Sequence, residues 1–143
     1  MFIGEYSYTI DEKGRIALPV KFRRKLADGI VVTRGLDSCL FAYSLDEWKK
    51  IANQLGSLPA TQKNARAYAR LMLAGAMDLV PDKQGRIVLP GYLREYAGLK
   101  NNVTIAGIVS RIEIWDTDKW NEYRKNTESA SDEIAEKLSE LGV

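Results

Sequence analysis

Asp11-Glu-Lys-Gly-Arg-Ile-Ala-Leu-Pro19 and Asp82-Lys-Gln-Gly-Arg-Ile-Val-Leu-Pro90 are one nonapeptide written twice, 71 residues apart, with six of nine positions identical in the pattern D-x-x-G-R-I-x-L-P. A period of that length in a chain of 143 residues signals two copies of one folding unit. The likeness resumes at a spacing of 72. Gly35, Ser38, Leu40, Tyr43, Asp46 and Trp48 answer to Gly107, Ser110, Ile112, Trp115, Asp118 and Trp120, so the second copy carries one inserted residue.

Working outward from the first motif, Tyr6–Ile10 is rich in β-branched and aromatic residues and Arg15–Leu18 alternates, which predicts a short β-hairpin around the motif. Asp11 can accept a bond from the backbone two residues on, and Gly14 can adopt positive φ, so the turn presents Lys13 and Arg15. Pro19 suits the start of a short helix over Val20–Ala27, which carries Lys21, Arg23, Arg24 and Lys25. Strands at Ile30–Thr33 and Cys39–Tyr43 follow. A capping box, Ser44 with Glu47, then opens a helix with Trp48, Ile51, Ala52 and Leu55 in line. After Gly56–Pro59, a helix from about Thr61 to Ala74 connects to the second copy. There the order recurs: strands near Met77–Val80, Ile87–Leu89, Val103–Ile108 and Arg111–Trp115, a helix near Gly91–Ala97 and another from Thr117. A final amphipathic stretch aligns Ile134, Leu138 and Leu141. A lone unit of about 70 residues would be marginal and would expose sheet edges. The two copies are therefore expected to form one pseudo-symmetric α+β body.

With 45% hydrophobic and 28% charged residues the chain has the balance of a soluble globular protein. Its longest apolar stretch, Leu71–Met77, is far short of the ~20 residues that cross a bilayer, and no signal-peptide core is visible, so a cytosolic protein without a membrane partner is expected. The single cysteine excludes an internal disulfide framework, and the absence of histidine removes the usual zinc sites and histidine-based triads. Neither a Walker loop, a dinucleotide fingerprint nor a nucleophile with its base is present, so no enzyme, cofactor, metal site or small-molecule substrate is expected. The net charge of +2 conceals a polarity. Residues 1–72 hold 12 Lys and Arg against 7 Asp and Glu, a net +5; residues 73–143 hold 9 against 12, a net −3, with much of the acidity between Glu128 and Glu140.

The D-x-x-G-R turn admits two compatible readings. Asp11 with Arg15, and Asp82 with Arg86, can pair across the turn and fix its shape, together with Gly14 and Gly85. An arginine on such a turn, followed by a basic helix, also forms a donor cluster suited to phosphate oxygens and guanine edges, and two copies would present two such clusters. The charges of the first helix can equally solvate a surface, as can the stripe Lys63, Arg66 and Arg70. Cys39, Trp48 and Trp120 read as packing residues.

These residues resemble the MraZ family of bacterial transcriptional regulators, built from tandem modules of the SpoVT-AbrB group. The carriers are Met1-Phe-Ile-Gly-Glu-Tyr6, the two D-x-x-G-R motifs with Leu18-Pro19 and Leu89-Pro90, and Lys21-Phe-Arg23. The resemblance implies modules at 1–58 and 76–123, a connecting helix at 59–75 and an acidic helical tail at 124–143. It also implies a pseudo-twofold swapped-hairpin β-barrel with peripheral helices, a ring-shaped homo-oligomer, and a nucleoid-associated regulator. The DNA partner would be direct repeats of double-stranded DNA in the promoter of its own division and cell-wall operon. The expected DNA contacts are Lys13, Arg15, Lys21, Arg23 and Arg24, with a weaker second set of Lys83, Arg86 and Arg94. Tyr8, Val20 and Gln84 depart from the family's usual residues, and Gln84 in place of a second Lys13 makes the two halves unequal. An antitoxin-like protein of the AbrB group and a non-specific nucleoid protein are the alternatives.

Overall fold

Leu18-Pro19 and Leu89-Pro90 mark the point in each copy where a short strand gives way to a helix: both prolines hold extended backbone, and the helix begins at the next residue. In the computed structural model, which describes residues 1–143, the first copy comprises β1 (Phe2–Thr9), β2 (Arg15–Ala17), α1 (Val20–Leu26), β3 (Ile30–Arg34), β4 (Leu40–Ser44) and α2 (Leu45–Gly56). A connection of α3 (Lys63–Ala69) and a π-helical turn, Arg70–Ala74, leads to the second. That copy comprises β5 (Met77–Leu79), β6 (Arg86–Val88), α4 (Gly91–Ala97), β7 (Asn102–Val109), β8 (Arg111–Asp116) and α5 (Thr117–Ser129). The tail is α6 (Ser131–Lys137) with a 3-10 turn, Ser139–Leu141. No helix is long and apolar enough to cross a membrane. The capping expectation holds: the Ser44 hydroxyl accepts the Glu47 N–H at 3.3 Å, and the Asp116 carboxylate caps α5 in the same way at 3.4 Å.

The predicted hairpin between β1 and β2 is not formed. β1 instead pairs antiparallel with β7 of the other copy, from Phe2 opposite Val109 to Thr9 opposite Asn102. β5 pairs reciprocally with β3, and β2 pairs with β6. The physical reason is length. β2 offers three residues, whereas β7 offers an eight-residue register that satisfies far more backbone donors and acceptors.

The result is an antiparallel six-stranded sheet, ordered β1-β7-β8-β4-β3-β5, and a separate two-stranded ribbon, β2-β6. The large sheet keeps two free edges, β1 and β5, and is not closed into a barrel. Its order is symmetric about the β8–β4 contact. The pseudo-twofold axis runs through the pairs Phe41–Glu113 and Ile16–Ile87, each made of equivalent positions of the two copies. The inserted residue falls in the link from helix to strand, residues 98–101 in the second copy against 27–29 in the first.

Between ribbon and sheet lies the main core. Ile16, Leu18, Ile87 and Leu89 come from the ribbon and its exits, Phe22, Leu26, Leu93 and Ala97 from α1 and α4, and alternate residues of the sheet complete it. A smaller cluster on the opposite face of β4 and β8 packs Cys39, Phe41, Tyr43 and Trp115 beneath Leu55 and Met72, with Trp48 and Trp120 at its margin. This arrangement anchors the ribbon to the body through the buried Ile16, Leu18, Ile87 and Leu89.

Candidate nucleic-acid interface

Asp11 builds the first turn with its side chain. One carboxylate oxygen accepts the backbone N–H groups of Lys13 at 3.0 Å and Arg15 at 2.9 Å, and the other accepts Arg15 Nε at 2.6 Å. Gly14, at φ +80°, donates to the Asp11 carbonyl and supplies the left-handed step that the turn requires. The second copy repeats every bond. Asp82 accepts from Gln84 N–H, Arg86 N–H and Arg86 Nε at 2.9, 2.9 and 3.0 Å, and Gly85 stands at φ +73°. The backbone N–H of Arg15, and in the second copy that of Arg86, is the largest influence holding each aspartate below the ordinary carboxylate range. Both aspartates are therefore ionised at neutral pH. Each arginine is steadied through Nε, and its two terminal nitrogens remain available on a side chain that is one-third exposed.

The two turns also hold each other. Leu18 N–H donates to the Gly85 carbonyl at 2.9 Å, and Leu89 N–H to the Gly14 carbonyl at 2.8 Å. Arg23 of α1 donates through Nε to the Leu18 carbonyl at 2.9 Å and lies against Gly85; Arg94 of α4 donates to the Leu89 carbonyl at 3.1 Å and lies against Gly14. A Cβ added at Gly85 would stand 2.6 Å from Arg23 Cδ. Each helix thus braces the turn of the other copy.

Strand alternation sends Ile16 and Ile87 into the core and leaves Arg15, Ala17, Arg86 and Val88 on the ribbon's outer face. Arg15 is opposite Val88 and Arg86 opposite Ala17, so the arginines are diagonal neighbours roughly 7 Å apart. The major groove of B-form DNA is wide enough to admit a two-stranded β-ribbon.

Of the remaining candidates, Lys13, Lys21, Arg24 and Lys83 are exposed, whereas Arg23 and Arg94 are half-buried in the bracing just described. Sequence reasoning took the last two only as surface donors. The signal that could have revealed their other role is their own 71-residue spacing, since repeat-equivalent arginines that survive where their neighbours differ suit a symmetric contact. The neighbours do differ. Lys21, Arg24 and Lys25 correspond to Tyr92, Glu95 and Tyr96. The Tyr92 hydroxyl donates to the Gly75 carbonyl at 2.9 Å and that of Tyr96 to the Gly35 carbonyl at 2.7 Å, fastening α4 to the connection and to the β3–β4 loop. The basic helix of the first copy has become a packing helix in the second.

The two-copy sequence has a counterpart in a known family. The profile of the family described as "MraZ protein, putative antitoxin-like" matches residues 1–71 and again residues 72–140. The chain belongs to the MraZ family. It is 49% identical over its whole length, and the whole length of the relative, to a protein of Caldanaerobacter subterraneus subsp. tengcongensis named transcriptional regulator MraZ. It is 50% identical to one of that name from Thermoanaerobacter pseudethanolicus and 48% identical to another from Acetivibrio thermocellus, again over the full length of both chains. The boundary of the MraZ repeats falls within the π-helical turn, between the two exchanged halves of the sheet.

Proposed function

We propose that this chain is a transcription regulator that binds double-stranded DNA sequence-specifically through the β2–β6 ribbon. The observation that carries the reading is the pair of aspartate-held arginines, related by a pseudo-twofold axis, on the outer face of a ribbon anchored to the core. Prepositioned guanidinium groups lose little freedom on binding and suit guanine O6 and N7. Arg15 is the leading base-reading residue and Arg86 its weaker partner. Lys13, Lys21, Arg24 and Lys83 anchor phosphates around them, and Arg23 and Arg94 act chiefly by holding the turns.

The finer reading follows the family. Residues 1–58 and 76–123 form the two modules, joined by 59–75 and followed by the tail 124–143. The exchange of β1 and β5 between copies supports a swapped-hairpin architecture in which ribbon and sheet enclose one core. The targets are direct repeats in the promoter of the chain's own division and cell-wall operon, met by a ring-shaped homo-oligomer at the nucleoid. Several subunits on successive boxes would supply through effective concentration the affinity that a few contacts per subunit lack.

Arg15→Ala tests the reading by gel shift on the DNA upstream of the chain's own gene. Loss of binding with fold and oligomer intact is expected; unchanged affinity and selectivity would overturn it. An antitoxin-like role is favoured by one observation: Ile134, Leu138 and Leu141 remain exposed on an acidic tail with no buried residue. Co-purification of a small basic toxin with the full chain would support that role.

A further inference from the structure

Four side chains make the outer face of the ribbon, and two of them are apolar. They are not equivalent in size. Ala17 faces Arg86, and Val88, its counterpart in the other copy, faces Arg15. Val88 is 52% exposed, whereas its neighbours Ile87 and Leu89 are fully buried, so it adds nothing to the core. The strand does not need a branched side chain there, because alanine occupies the same place in β2.

Val88 stands across the ribbon from Arg15 and two residues along from Arg86, both of which are fixed through Nε by their aspartates. Its height and direction are therefore set relative to two guanidinium groups. On the major-groove edge, the complement of an exposed apolar group is the C5 methyl of thymine.

We infer that Val88 contacts a thymine methyl beside the bases met by Arg15 and Arg86, and that its inequality with Ala17 gives the ribbon a direction on DNA. This rests on the DNA-binding reading above. A ribbon with perfect twofold symmetry would accept a box in either orientation. Val88 and Lys13 at the Arg15 end of the ribbon, against the smaller Ala17 and the uncharged Gln84 at the Arg86 end, leave one orientation preferred.

Uridine scanning of the upstream DNA tests the inference with the full chain. Each thymine of a footprinted box is replaced in turn by deoxyuridine, which deletes only the methyl group. The wild type is expected to show one position where the replacement weakens binding roughly fourfold, the worth of one buried methyl. Val88→Ala should lose that sensitivity and keep the rest of the profile, and Ala17→Val should gain a second sensitive thymine on the far side of the axis. Because both side chains point outward, circular dichroism should show both variants folded. Identical uridine profiles for wild type and Val88→Ala, with Arg15→Ala failing to bind, would overturn the inference alone. If Arg15→Ala binds as tightly and selectively as wild type, the DNA-binding reading fails and the inference falls with it.

Discussion

Gly85→Ala probes the clasp between the two copies at its tightest point. An alanine at φ +73° carries a left-handed strain of about 1–2 kcal/mol. Its Cβ, 2.6 Å from Arg23 Cδ, would also drive the half-buried arginine away and break the 2.9 Å bond from Arg23 Nε to the Leu18 carbonyl, a charged-donor bond worth about 1.5–3 kcal/mol. The lower entropy of alanine in the unfolded chain offsets about 0.4–1 kcal/mol. The net destabilisation is about 3 kcal/mol. For a chain of this size that lowers Tm by roughly 6–12 °C. Thermal unfolding should be followed by calorimetry for the wild type, Gly85→Ala, Arg23→Ala and the double variant. With Arg23 already removed, Gly85→Ala should retain only its backbone strain less the unfolded-state offset, about 1 kcal/mol, so the two changes should fall well short of additive. A Tm loss below about 2 °C, or the same loss in both backgrounds, would refute the cross-copy brace.

Three further outcomes follow from the same geometry. Asp11 is held below the ordinary aspartate range, first by the Arg15 N–H, so its contribution is complete above the unfolded value of about 3.9 and fades as pH falls through the folded one; the stability gap between wild type and Asp11→Asn in urea should be flat from pH 7 to 5 and shrink below about pH 4. Cys39 is buried, its thiol donates to the Leu36 carbonyl at 3.2 Å, and burial pushes the thiol far above its ordinary range, so a thiol reagent at pH 8 should label it only in denaturant. Lys13→Ala should lower the salt slope of DNA binding by about one unit at every sequence, whereas Arg15→Ala should weaken binding by about 1–3 kcal/mol and relax selectivity at one base pair.

The turns were legible because their chemistry is local. A carboxylate that caps its own turn, a glycine at positive φ and an arginine four residues on lie within one pentapeptide, and the repeat doubled the signal. Ser44 and the extents of α1 and α4 were legible for the same reason. Strand partners were not. Whether Phe2–Thr9 pairs with Arg15–Ala17 or with Asn102–Val109 is decided by the number of backbone groups satisfied across a hundred residues of chain, which no local pattern records. The second set of basic candidates shows the same limit. Arg94 looks like a surface donor until Gly14 of the other copy is seen against it. The tail gave the opposite result: Ile134, Leu138 and Leu141 recur at helical spacing, yet none of them is buried.

Whether the two-arginine ribbon reads DNA is decided by footprinting the DNA upstream of the chain's own gene. The wild type should protect discrete repeated boxes at concentrations that leave scrambled DNA untouched, and the Arg15→Ala, Arg86→Ala double variant, still folded and assembled, should protect none. Uniform protection without boxes, or boxes equally protected by the double variant, would mean that the ribbon's arginines do not read DNA.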